Sequence, residues 1–410
     1  MLPMPLKPQW SDLYHAYGVA TDTPRYLAAL MADDRGVRAA ALDHLFGAVI
    51  HQGTPWSATA PVALEVVRLL DDPNLDRATR HRRGADPDAR PTRAALLDFL
   101  GLVGEAADYD VPELDLLAAA YPPDRSDDVD RAVEAIVAGS DEPWGDETVV
   151  SALDARAVLE CRRIVPDLFG PVLAHLDHGD PRVRMSAANA LRPLLRHPEL
   201  APNARRVRAR LLAIADRADT DERAACMITI GQLGGQPREF LADPHPAVRA
   251  CAALAPALAD DPAATREILQ ALRDPAATDG WFRLRLPQFD GHVRFALVDA
   301  ALARVDDFAA LLPAARAVAK VASKYTVDRD WGPLLTAAFR EPVRGNGSLT
   351  EPQRSYLAAL VANDELWDRR YGKAAHWFHQ VGLPYDRIAC ARMVGLNGSS
   401  AQRTGGRGLD

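Results

Sequence analysis

The stretch DPRVRMSAANALRPLL, from Asp180 to Leu195, decides the fold. Asp180 and Pro181 open a helix: a carboxylate accepts orphan backbone N–H groups, and proline gives up an N–H that has no partner in the first turn. Val183, Ala187, Ala190, Leu191 and Leu194 then recur at steps of three and four, which makes one apolar stripe on one helical face. The stripe is mostly alanine, so a neighbouring helix can come close. The same pattern returns in DDRGVRAAALDHLFGAVI from Asp33, DPHPAVRACAALAPALA from Asp243 and DGHVRFALVDAAL from Asp290. Each copy has an acid, a Val-Arg pair and an alanine-rich stripe. A degenerate copy, DERAACMITIGQL, begins at Asp221.

This repeated pattern resembles the second helix of a HEAT repeat. The resemblance implies an all-α, right-handed α-solenoid of HEAT-like helix pairs, roughly eight to ten of them stacked side by side. It is expected as a single superhelical domain over residues 1–395, with 396–410 a disordered tail, because NGSSAQRTGGRGLD from Asn397 has almost nothing to bury. The copies are spaced more closely than the roughly 40 residues usual for HEAT, which suggests trimmed connecting helices. Asp34, Asp180 and Asp290 each stand four residues before an arginine. In HEAT arrays such a pair implies an aspartate capping the helix and an arginine linking repeats.

The opening of the chain carries a second resemblance. His15, Ala16, Tyr17 and Gly18 spell HAYG, and His51, Gln52, Gly53 and Thr54 spell HQGT. Over about the first quarter, this is similar to bacterial HEAT-like proteins, particularly of actinomycetes. That similarity implies the fold, and relatives of this type are often proposed as interaction or toxin-immunity proteins.

Composition narrows the function classes. Of 410 residues, 48% are hydrophobic and 25% charged, an ordinary globular balance that argues against bulk disorder. The net charge of −8 argues against nucleic acid as a general partner, since such binders usually carry a basic excess. The N-terminal MLPMPLKPQ lacks the continuous apolar core of a signal peptide. No run of about 18 apolar residues occurs, so no membrane span is expected. Cys161, Cys226, Cys251 and Cys390 are scattered without a C-x-x-C pair, which predicts buried thiols in a reducing cytoplasm and no zinc site.

Along the chain, the pattern predicts a short helix from Trp10, a turn around Gly18, a helix entered through Thr23-Pro24, and helices at Val37–Ile50, Pro61–Leu70, Arg93–Ala107, Val111–Ala120, Asp127–Ala138, Ala152–Val165, Pro166–Leu176 and Pro181–Leu195. Further helices are predicted at Ala204–Arg217, Asp221–Leu233, Pro237–Leu241, Ala247–Leu258, Thr265–Leu272, Val293–Val305, Ala309–Ala322, Trp331–Phe339, Gln353–Ala362 and Leu366–Val381. Pro193 and Pro256 fall late in theirs and should bend or end them. Two long connections interrupt the array, one from Asp71 to Pro91 and one from Arg273 to His292. Long connections in compact arrays are often functional.

These features supply the candidate sites. Tyr14, His15, Tyr17, His51, Gln52 and Trp56 gather polar-tipped aromatics near the N-terminus, where plain aliphatics would suffice for a cap. They fit a pocket for a peptide or small ligand, with His15 or His51 as general base beside Glu105 or Asp108 if any chemistry is catalysed. His44 and His51 are spaced to share one helical face, about 10.5 Å apart along the axis, too far to ligate one metal. His376 and His379, at i and i+3, meet on one helical surface, with Asp386 as a third candidate ligand, but no metal-binding signature accompanies them, and no cofactor or metal is expected.

Trp281, Phe282, Arg285 and Phe289 lie in the second long connection and combine the residue types enriched at binding hot spots. They are expected to fold over a concave face and contact a protein or peptide partner. Arg77, Arg80, Arg82, Arg83, Arg90 and Arg93 in the first connection, and Arg205, Arg206, Arg208 and Arg210 on one helix, are the only stripes that suit phosphate. HEAT-like DNA glycosylases supply that comparison, but their catalytic aspartate among tryptophans has no counterpart in this sequence.

Overall fold

The computed structural model describes residues 8–79, 89–343, 348–368, 370 and 372–396. The expected disordered tail from Asn397 lies outside the described residues. So do Arg80, Arg82 and Arg83 of the first connection and 344–347 of the polar break after Pro342. The class is all-α: 67% of the chain is helix and 3% strand, with nineteen α-helices among the described residues. No helix of the described residues is long and apolar enough to cross a membrane. Two compact units emerge, Met1–Thr229 with Leu284–Gln288, and Ile230–Arg283 with Phe289–Asp410.

The first unit contains α1 (Thr23–Ala29), α2 (Arg35–His44), α3 (Thr59–Leu69), α4 (Thr92–Ala106), α5 (Glu113–Ala120) and α6 (Ser126–Val137). It continues through α7 (Glu147–Ala174), α8 (Pro181–Leu194), α9 (Ala204–Ala215) and most of α10 (Thr220–Gln232). Three two-residue antiparallel ladders belong here: β1 (Tyr14–His15) with β2 (Gly18–Val19), β3 (Ile50–His51) with β4 (Thr54–Pro55), and β5 (Ala78–Thr79) with β6 (Arg90–Pro91). Its densest packing is between α4 and α8. The predicted stripe on α8 is fully buried. Gly101 and Gly104 of α4 face it, and a Cβ on Gly101 would stand 3.2 Å from the Ala190 Cα. Small residues on both helices permit this approach.

The second unit comprises α11 (Pro246–Ala253), α12 (Pro262–Ala271), α13 (Pro275–Asp279), α14 (Val293–Arg304), α15 (Phe308–Val321), α16 (Trp331–Ala338), α17 (Glu351–Ala362), α18 (Gly372–Gln380) and α19 (Arg387–Met393). Its neighbours along the chain pack together: α11 on α12, α12 on α14, α15 on α16 and α17, and α17 on α19. Trp331, Tyr356, Phe339 and Phe378 are its largest fully buried side chains, with Trp331 and Phe378 rings 6.1 Å apart.

The Val-Arg position has one recurring job. Arg38 Nη1 donates to the carbonyls of Ala32 and Asp33 at 2.7 Å, and its Nε reaches Thr79 at 2.9 Å. Arg184 Nη1 donates to His178 and Gly179 carbonyls at 2.6 and 2.9 Å, and its other nitrogens hold both oxygens of Glu222. Arg249 Nη1 donates to Asp243 and Pro244 carbonyls at 3.0 and 3.2 Å, and its Nε holds Glu267 at 2.8 Å. In all three, one guanidinium satisfies the turn five and six residues back and ties it to a later element. Arg294 departs from the pattern, pairing instead with Asp279 and with Asp330, the latter at 3.2 Å.

Several expectations need correction. Asp34 and Asp180 cap α2 and α8 as expected, but Asp290 pairs with Arg329 and does not cap α14. The separate helices expected at Ala152–Val165 and Pro166–Leu176 are one helix, α7, with Pro166 and Pro171 inside it. Both prolines sit on its less buried side, and packing against α3, α4, α5 and α8 outweighs the lost backbone bonds. The helix expected through Leu258 ends at Ala253, and Pro256 begins a 3₁₀ turn. The helix expected over Leu366–Val381 is α18 preceded by a separate 3₁₀ turn, Asp364–Leu366. The 71–91 connection is pinned at its base by β5 and β6.

Candidate functional site

Both N-terminal motifs form β-hairpins. HAYG closes β1 on β2, with His15 opposite Gly18 and Ala16-Tyr17 at the tip. HQGT closes β3 on β4, with His51 opposite Thr54. Its two central residues have positive φ, 54° at Gln52 and 87° at Gly53, the signature of a type I′ turn that matches strand twist. One main-chain bond and one bond to a serine hydroxyl tie the first hairpin to the residues flanking the second. Ala16 N–H donates to the Ala48 carbonyl at 3.1 Å, and Tyr14 N–H donates to Ser57 Oγ at 2.8 Å.

The six N-terminal candidates divide into two groups. Tyr14 is buried, and with Trp56 and Trp144 it makes a trio of edge-on rings 5.6–6.4 Å apart. These rings pack on Val129, Ile136, Val149 and Leu153, so Tyr14 and Trp56 hold the hairpin to α6 and α7. Burial pushes the Tyr14 hydroxyl up to about 12. His15, Tyr17 and His51 face the other way. Tyr17 is 69% exposed, its hydroxyl 3.4 Å from His51 Nδ1. Gln52 is exposed at the turn.

His15 and Tyr17 line an open cleft of about 730 Å³, together with Asp22, Tyr26, Asp43 and His44. His15 is buried, its Nε2 3.0 Å from Asp22 Oδ1, and its Nδ1 accepts the Tyr17 N–H at 3.2 Å. That second bond fixes the tautomer: the proton sits on Nε2 and is donated to Asp22. His44 lies edge-on to the His15 ring at 5.1 Å, stacks on Tyr26 at 4.2 Å, and keeps Nε2 3.0 Å from Thr23 Oγ1. Burial holds the His44 pKa down at about 4, helped by His15 and Arg25 and opposed by the Asp22 carboxylate, so the ring is neutral near pH 7. His51 Nδ1–H donates to the Gly47 carbonyl at 2.8 Å, leaving Nε2 as an acceptor.

The shared helical face expected for His44 and His51 does not exist. After His44 the chain passes through a π-helical turn, Leu45–Val49, and His51 leaves in a hairpin. His44 meets His15 and Asp22 instead. The nitrogen and oxygen atoms of these three lie within 4.8 Å of one another, a metal-sized grouping that sequence spacing did not reveal. Residues 15, 22 and 44 sit on a strand, a 3₁₀ turn and a helix. Their convergence is tertiary, and the readable signal was only the positive-φ pair Gln52-Gly53. Neither Glu105, which pairs with Arg192, nor Asp108 lines the cleft, and the carboxylate paired with His15 is Asp22. Asp386 caps α19 by accepting the Ala389 N–H at 2.9 Å.

In the second connection, Trp281 lines a cleft of about 180 Å³ with Arg249, Glu267 and Asp274. Phe282 stacks on Phe289 at 6.3 Å, and Phe289 is buried while Arg285 is exposed. The segment is anchored by the Leu284 N–H on Asp221 and by the Gln288 amide on the Met185 carbonyl and Thr229. Four of the described arginines of the basic stripes meet carboxylates: Arg77 with Asp33, Arg90 with Asp98, Arg93 with Asp76 and Arg210 with Asp177, while Arg205 and Arg206 are exposed on α9. All four cysteines are buried and unpaired with one another. Compared with known proteins, the chain matches no family model and no curated sequence.

Proposed function

We propose that this chain is a binding protein built as a HEAT-like, right-handed α-solenoid, which recognises a protein or peptide partner. The recurring contact of Arg38, Arg184 and Arg249 supports the repeat reading, because three copies of one motif make the same backbone bonds at the same offsets. The observation that carries the binding role is Tyr17. An aromatic residue 69% exposed at the rim of a cleft of about 730 Å³ is costly to leave in water and suited to an interface anchor.

Tyr17 sits at a hairpin tip, so truncating it leaves the fold intact. The test is capture of partners from the native cell extract by the immobilised parent chain, followed by titration of each purified partner. Tyr17→Ala should weaken the specific partner at least tenfold, roughly 1.4 kcal/mol, with an unchanged melting temperature. Equal affinity in Tyr17→Ala would remove the cleft from the binding role. Capture lost in Trp281→Ala with Arg285→Ala, at unchanged stability, would move recognition to the second connection. A small-ligand reading of the same cleft is favoured by one feature, the convergence of His15, Asp22 and His44.

A further inference from the structure

We propose that His15, Asp22 and His44 form a site for a divalent transition-metal ion of the zinc type, opening on the N-terminal cleft. Two imidazoles and one carboxylate are a donor set that suits borderline first-row ions, and such sets leave coordination positions open for water or a ligand. The three side chains come from three elements, β1, the 3₁₀ turn before α1, and the end of α2, and their donor atoms lie within 4.8 Å.

The distances are close to those an ion requires. Tetrahedral bonds of about 2.0–2.1 Å place donor atoms about 3.4 Å apart. His15 Nε2 and Asp22 Oδ1, at 3.0 Å, are already near that spacing. His44 has to close by about 1.4 Å at most from the 4.8 Å limit of the group. It stands at the last residue of α2, directly before a π-helical turn, and such turns occur frequently at functional sites. Tyr26 and Thr23, against the same ring, are the neighbours that would adjust with it.

Loading the ion has a definite proton balance at His15. The proton now on Nε2, between the ring and Asp22, must leave that nitrogen, and the neutral ring then carries one on Nδ1. The imidazole proton changes position, with no net release from this residue. Nδ1 then ceases to accept the Tyr17 N–H. That main-chain donor lies in the hairpin tip of an exposed residue, where water can replace the lost partner. Asp22 supplies the compensating negative charge. Arg25, 3.9 Å from its other oxygen, is 71% exposed, so water screens the opposing positive charge.

The test uses the full chain stripped with a chelator and titrated with Zn²⁺, and with Co²⁺ for its visible ligand-field absorption. The parent should take up one equivalent of Zn²⁺ at micromolar protein and give the intense bands of a low-coordinate cobalt site. Asp22→Asn and His44→Gln should each weaken Zn²⁺ at least tenfold, while His376→Gln, in the exposed pair of α18, should leave binding as in the parent. Asp22 is partly exposed, so Asp22→Asn keeps the test valid should His44→Gln fail to fold, with helicity measured alongside. No tight equivalent in the parent, binding that survives Asp22→Asn, or binding lost in His376→Gln would each overturn the proposal.

Discussion

At the residue scale, the Val-Arg position was legible and its partners were not. An arginine four residues after a capping acid looks paired with that acid. The geometry sends it backward to two carbonyls and outward to Thr79, Glu222 or Glu267, which periodicity cannot supply. At Arg294 the outer partner is instead a buried acid, and the pairing becomes pH-dependent. Asp330 is fully buried, and burial pushes its carboxyl up to about 6, against the opposing pull of the Trp331 N–H and the Arg294 guanidinium. The folded pKa lies above the ordinary 3.8, so this group's stabilisation is complete below 3.8 and is lost as pH rises through about 6. Relative to Asp330→Asn, the parent should therefore lose stability across that window, on the order of 1 kcal/mol per pH unit. Paired melting curves at successive pH values check it, and a gap independent of pH would show that Asp330 is ionised throughout.

At the element scale, long amphipathic helices were readable and short devices were not. The α8 stripe was placed correctly because five apolar residues at helical steps leave one solution. Two-residue strands offer no period at all, so β1 to β4 went unread, although Gln52-Gly53 is a turn signal. The α7 helix was cut at Pro166 because a local rule about proline was applied where tertiary packing prevails. The contact of α4 with α8 yields a direct test. Gly101→Val places a branched side chain against the Ala190 backbone, only 3.2 Å from the Cβ position. Overpacking there should destabilise by about 1–3 kcal/mol even though valine is the better helix former, read as a lowered urea midpoint. A raised midpoint would mean the two helices separate easily and the small-residue seam is not a constraint.

At the scale of the whole molecule, the charge of −8 and the carboxylates paired with Arg77, Arg90, Arg93 and Arg210 weigh against a phosphate-binding surface. What the sequence carried at this scale was class, and what it withheld was location. The aromatics singled out near the N-terminus split into a packed group around Tyr14 and Trp56 and a cleft group around His15 and Tyr17. No pattern along one helix could separate them, because two hairpins turn neighbouring residues to opposite sides. We propose that recognition occurs at this cleft. Amide hydrogen exchange of the full chain, alone and saturated with its captured partner, separates the cleft from the second connection. New protection is expected in residues 14–26 and 44–54; protection confined to residues 273–292, with the N-terminal segments unchanged, would contradict it.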